Sequence, residues 1–134
     1  AFGLMICADG FARGQMVSRT LGLMGAQIIL SPCAWAVPPD HDNTRTPYGR
    51  LWLENYRPVA KDFQMWIAGA SNVGWITGGE WSGHQCIGSS LVINPAGEAV
   101  LRGPYGVDAT AWLSADVTIA PRPARGDGWE KLWT

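Results

Sequence analysis

The chain has 134 residues, of which 47% are apolar and only 16% charged. That is one domain's length, with enough apolar material to offset the entropy of ordering, so a disordered chain is excluded. Ten Lys+Arg against eleven Asp+Glu leave a net charge of −1. There is no basic excess to point to nucleic acid or an anionic membrane, and no apolar run of bilayer length.

Residues 2–7 are a short apolar run that reads as a buried strand ending at Cys7, and residues 8–10 read as a turn. Residues 15–24 predict a helix with Met16, Val17, Leu21 and Met24 on its apolar face, and Gly25 is placed to cap it. Residues 27–30 predict a second buried strand, stopped by Ser31-Pro32. Strand, helix and strand at this spacing predict a right-handed βαβ unit with parallel strands. A loop rich in Pro, Asp and Asn follows over residues 33–47, then a second helix over 48–63 whose weak point is Pro58. Residues 65–70 read as a third strand and 74–83 as loop. Residues 89–93 and 99–101 flank Asn94-Pro95-Ala96-Gly97, the signature of a tight turn in a β-hairpin. A last strand is expected within 111–119, where Leu113, Val117 and Ile119 roughly alternate, and 121–134 reads as a tail. The whole is a mixed α/β chain.

Three cysteines, Cys7, Cys33 and Cys86, are too few and too irregular for a disulfide framework, and no CxxC is present. A reducing, cytoplasmic setting is the expectation. His84 lies two residues from Cys86, and His41 lies between Asp40 and Asp42. Neither group has a regular ligand spacing, so no metal is expected.

Cys7 is the first candidate for chemistry, because it stands where a strand turns into a helix. Backbone N–H groups at a helix start are unpaired and can stabilise a thiolate and an oxyanion. The competing reading is a plain buried cysteine. Asp9 is either an acid or, as favoured, the residue that holds the turn. Trp35 follows a strand end and either lines an acyl pocket or packs. Glu54 reads as part of a solvated helix face and His84 as an exposed loop residue. Ser89 and Ser90 have no evident partner His. Eight tryptophans raise the alternative of a sugar-stacking surface, but most adjoin apolar runs and read as core.

Several segments in order resemble the carbon–nitrogen hydrolase (nitrilase/amidase) superfamily. Gly3-Leu4-Met5-Ile6-Cys7-Ala8-Asp9 is similar to its strand-and-elbow motif, and Gly25-Ala26 through Ser31-Pro32 to its helix-to-strand segment. Cys33-Ala34-Trp35 stands where a Ser/Ala-Trp sequence is common. Ser71-Asn72-Val73-Gly74 resembles an Asn-x-Gly strand end, and residues 86–97 resemble its Gly-x-Ser to Pro-x-Gly hairpin. The chain departs from the pattern in having Phe11-Ala12-Arg13 after the elbow and Asp62-Phe63 in the long helix.

The resemblance implies a four-layer α-β-β-α sandwich, here an incomplete C-terminal portion covering residues 1–134 with its tail at 121–134. It implies Cys7 as nucleophile, the Ala8 backbone N–H as oxyanion donor, Trp35 and Cys33 near substrate, and Asp9 and Asn72 as structural residues beside the site. A small amide is the expected substrate, hydrolysed through a thioester; nitrile and N-carbamoyl substrates are alternatives. No cofactor is required, and a homo-oligomer is expected. The Glu and Lys that the family also uses precede its Cys, and only six residues precede Cys7. The chain, which opens on Ala1 without Met, therefore reads as part of something longer that needs an N-terminal half. A non-catalytic half remains the competing expectation.

Overall fold

The computed structural model describes residues 1–121. Its strands are β1 (Phe2–Leu4), β2 (Ile28–Cys33), β3 (Ala36–Val37), β4 (Trp66–Ser71), β5 (Val73–Trp75), β6 (Gln85–Ile87), β7 (Leu91–Ile93) and β8 (Ala99–Arg102), with helices α1 (Met16–Leu23) and α2 (Arg50–Phe63). The principal sheet runs β1-β2-β4-β7-β8, and a smaller one runs β3-β6-β5. Strands β1, β2 and β4 are parallel, with Leu4 opposite Leu30 and Leu30 opposite Ala68. Parallel neighbours need a crossover, and α1 and α2 supply the two. The hairpin β7–β8 adds antiparallel to β4. Its turn closes as the sequence predicts, with Gly97 N–H donating to the Asn94 carbonyl at 2.8 Å.

The core lies between α2 and the principal sheet. Ile29, Ile67, Leu91 and Ile93 alternate to one face and are buried with Tyr56, Val59, Ala60 and Phe63 of α2. The opposite face is apolar too, and Phe2, Leu4 and Leu30 on it are 77%, 69% and 38% exposed. No helix among the described residues is long and apolar enough to cross a membrane.

Several expectations need correction. The first strand ends at Leu4, short of Cys7. Met5 N–H still donates to the Leu30 carbonyl at 3.2 Å, but Cys7 then opens a 3-10 turn over Cys7–Phe11. The second strand is not stopped by Ser31-Pro32 but runs through to Cys33. The Leu30 carbonyl points to β1 and the Cys33 carbonyl points to Asn72 beyond β4. Backbone groups alternate in direction along a strand, so the nitrogen of Pro32 points to the β1 side, where β1 has already ended. The absent donor therefore breaks no ladder bond. The first helix keeps its Gly25 cap, where φ is 90° and Ala26 N–H donates to the Leu21 carbonyl. Its inward face, however, is Val17, Ser18, Leu21 and Gly22, while Met16 and Met24 are exposed.

The expected loops at 33–47 and 74–83 each hold part of the smaller sheet, β3 in the first and the end of β5 in the second. The expected strand at 111–119 does not form. That segment crosses the sheet instead of joining its edge. Its carbonyls are met by side chains, with Trp66 Nε1 donating to Thr118 O at 3.0 Å and Gln27 Nε2 to Ala120 O at 2.9 Å. Trp35 and Trp52 are core, as expected, but Trp75, Trp81 and Trp112 are exposed. Beyond Pro121, the tail lies outside the described residues.

Candidate active site

The parallel strands β1, β2 and β4 deliver three of the singled-out residues to one edge of the sheet. Cys7 follows β1, Cys33 ends β2, and Asn72 follows β4. The C-terminal edge of parallel strands is where open α/β sheets build sites, because the chain must leave there in loops whose backbone groups are unpaired.

Cys7 occupies a left-handed backbone conformation, with φ at 41°. For a residue with a Cβ this is strained, and such strain persists where the surroundings enforce it. Asp9 enforces it here. Its carboxylate accepts the Ile6 N–H at 2.8 Å, and its own N–H donates to the Ile6 carbonyl at 2.9 Å. The chain is thereby folded tightly around Cys7, which is half-buried. The Ala8 N–H that follows donates to no protein acceptor among the described residues.

Beneath Cys7 lies a polar thread through the core. Tyr56, buried on α2, donates from its hydroxyl to Ser31 Oγ at 3.4 Å. Ser31 Oγ lies 3.3 Å from Cys33 Sγ, and the Cys33 thiol donates to the Ser31 carbonyl at 3.2 Å. Burial pushes the Cys33 thiol above its ordinary pKa; the Ser31 hydroxyl pulls it back, and the charge of Cys7 raises it again. Tyr48 closes the cluster. Its hydroxyl accepts Trp52 Nε1–H at 2.8 Å, and its pKa is pushed up to about 12, first by burial and then by the charges of Cys7, Cys33 and Cys86 against the pull of that hydrogen bond.

Asn72 is exposed, and its backbone ties the site's edge together. Its N–H donates to the Cys33 carbonyl and its carbonyl accepts Gly88 N–H, both at 3.1 Å. Trp35 is 1% exposed and packs in the core, stacked on Trp52 with ring centroids 4.5 Å apart. Its side chain is thus not brought to the surface beside Cys7. Other candidates lie apart from this cluster. Glu54 is held by Arg50 in an exposed ion pair, His84 stacks its ring edge against Trp81, and Ser90 Oγ accepts the Ser71 N–H. Among the described residues no three His, Cys, Asp or Glu side chains gather as metal ligands would.

The carbon-nitrogen hydrolase family model matches residues 1–120. The chain belongs to the carbon-nitrogen hydrolase family. No curated protein gives a significant sequence match. Among solved structures, this hydrolase chain is similar to a carbon-nitrogen hydrolase from Helicobacter pylori G27, with TM-score 0.65, 24% identity, and coverage of 80% of this chain and 37% of that one. It is also similar to Saccharomyces cerevisiae Nit3, a member of branch 10 of the nitrilase superfamily, with TM-score 0.56, 22% identity and coverage of 80% and 34%. An amidase from Nesterenkonia sp. matches with TM-score 0.53, 24% identity and coverage of 81% and 35%. The fold is therefore nitrilase-like α/β, and the chain spans about a third of the length of these proteins.

Ser31, Tyr48 and Tyr56 stand out in the structure and not in the sequence. The one available signal was spacing. Tyr48, Trp52 and Tyr56 recur every four residues, which lines them along one side of α2 and its lead-in. Nothing local marks Ser31 as a buried hydroxyl between a thiol and a phenol.

Proposed function

We propose that Cys7 is the nucleophile of an amidase-like hydrolase acting on a small non-peptide amide. The observation that carries this reading is the left-handed Cys7 at the sheet's C-terminal edge, φ 41°. A strained strand-to-helix elbow exposes a nucleophile while the N–H after it is free to receive charge. In this scheme the Cys7 thiolate attacks the amide carbonyl carbon, and the carbonyl electron pair moves onto oxygen, which the Ala8 N–H meets. Collapse breaks the C–N bond, and the nitrogen leaves with a proton as ammonia or an amine. Water then attacks the thioester, releasing the acid and restoring the thiol. By family resemblance a Glu moves the protons and a Lys steadies the oxyanion, both from outside this chain. Support comes from a mutant of the Nesterenkonia sp. AN1 amidase, 22% identical and with TM-score 0.55, in which the acetamide moiety of fluoroacetamide is covalently added at the active site cysteine.

The same thiol chemistry serves nitriles and N-carbamoyl compounds, so the test compares all three. The full-length protein, incubated with small aliphatic amides, nitriles and N-carbamoyl amines, is followed by intact mass. An acyl adduct from the amides that is absent in Cys7→Ala is the expected result, with turnover lowered at least about a thousandfold in the variant. An adduct that survives in Cys7→Ala would overturn the nucleophile assignment. Faster turnover of nitriles or N-carbamoyl amines than of amides would overturn the substrate class.

A further inference from the structure

We propose that Cys33 is a resolving thiol for Cys7, so that a hydroperoxide converts the pair to an internal disulfide. This inference needs only the two thiols and stands whether or not the amidase reading holds.

The geometry begins with register. In the parallel pair β1–β2, Phe2 lies opposite Ile28, Gly3 opposite Ile29 and Leu4 opposite Leu30. The pairing ends there; Cys7 opens the 3-10 turn that follows, and this turn packs against β2, which Cys33 ends. The two cysteines thus leave the same edge of the sheet from adjacent strands about 4.8 Å apart, and a disulfide spans a Cα separation of about 4.4–6.8 Å. The turn at Cys7 does not carry it away from its neighbour. Cys7 lies close enough to count among the groups that shift the pKa of Cys33. Both thiols are half-buried, whereas Cys86, the remaining one, is 3% exposed on β6.

The chemistry balances with the peroxide as sole oxidant. The Cys7 thiolate attacks the outer peroxide oxygen; the O–O bond breaks, the alcohol or water leaves, and Cys7 becomes a sulfenic acid. Cys33 then attacks that sulfur. The S–O bond breaks, the S–S bond forms, and the oxygen leaves as water with the Cys33 proton. The roles are not interchangeable. Cys33 sits in the Tyr56–Ser31 thread and has its pKa raised by burial, whereas Cys7 sits on the outer turn. A nucleophilic cysteine without a resolving partner proceeds to irreversible sulfinic and sulfonic acids; Cys33 intercepts it first.

Tryptic cleavage of this sequence puts the three cysteines in separate peptides, residues 1–13, 20–45 and 62–102. The reduced protein, treated with stoichiometric hydrogen peroxide near neutral pH, alkylated and digested, is expected to yield the 1–13/20–45 linked pair. That pair should exceed any other by about tenfold and disappear with dithiothreitol. In Cys33→Ser and Cys33→Ala the linked pair is lost and Cys7 accumulates as sulfinic and sulfonic acid; Cys86→Ala behaves as wild type. A Cys7–Cys86 link, disulfides between molecules, or sulfinic Cys7 beside free Cys33 in the wild type would each overturn the proposal. So would an equal yield of the linked pair from protein unfolded in urea, because the fold would then contribute nothing.

Discussion

At the scale of single residues, the site depends on side chains that cannot move. Trp35 fills the space above Gly69, and a Cβ built on Gly69 would lie 2.8 Å from Trp35 Cη2 and 2.9 Å from Cζ2. The indole has no room to retreat, because it is 1% exposed and stacked on Trp52. Gly69→Ala is therefore expected to destabilise the fold by about 1–3 kcal/mol through overpacking, read as a lowered urea midpoint. Trp35 also fixes the edge on which Cys33 and Asn72 stand. Its backbone N–H donates to Ser71 Oγ at 2.9 Å, and its carbonyl accepts Ile87 N–H at 2.9 Å. A residue that resembles a pocket-lining aromatic in sequence thus works, within this chain, through its backbone and its bulk. The turn at Cys7 was legible because its motif is local, seven residues around one bend. Ser31, Tyr48 and Tyr56 were not, because their contact with the cysteines is made across the core by chain segments far apart in sequence.

At the scale of elements, periodicity and turn signals gave the long pieces correctly, and pairing decided the short ones. The α2 stripe, the Gly25 cap and the Asn94–Gly97 turn carry their physics in adjacent residues. Strands β3, β5 and β6 are two or three residues each; only their partners make them strands, and no local propensity announces that. The two prolines show the same divide. Pro32 looks like a strand stop, yet its ring faces the side where β1 has ended. Pro58 looks like a helix break, yet α2 runs unbroken from Arg50 to Phe63. There the missing N–H deprives the carbonyl of Glu54, a residue on the exposed side of α2. Pro58→Ala is expected to restore that bond and stabilise the protein. A helix-interior proline costs about 3 kcal/mol, and its stiffening of the unfolded chain offsets about 1, leaving a gain of roughly 2 kcal/mol. A higher urea midpoint with unchanged helical circular dichroism would bear this out; a lower midpoint would show that Pro58 packs in a way Ala cannot replace.

At the scale of the whole molecule, the principal sheet has two apolar faces and, among the described residues, helices on only one. Residues 111–120 cross part of the other face, held by the donors of Trp66 and Gln27. They leave Phe2, Leu4 and Leu30 exposed side by side, because the β1–β2 register sets Leu4 opposite Leu30. Apolar patches of this kind are uncommon on monomeric surfaces, and a four-layer sandwich would cover this one with a second sheet. The 134-residue chain prepared by itself is therefore expected to associate as its concentration rises, driven by burial worth about 25 cal/mol per Å². Light scattering across a concentration series measures this directly. The double variant Phe2→Gln, Leu4→Gln should stay monomeric at concentrations where the wild type has associated, with the same circular dichroism, because both side chains already point away from the core. Association that persists undiminished in this variant would place the sticky surface elsewhere, with exposed Trp75, Trp81 and Trp112 the next residues to change.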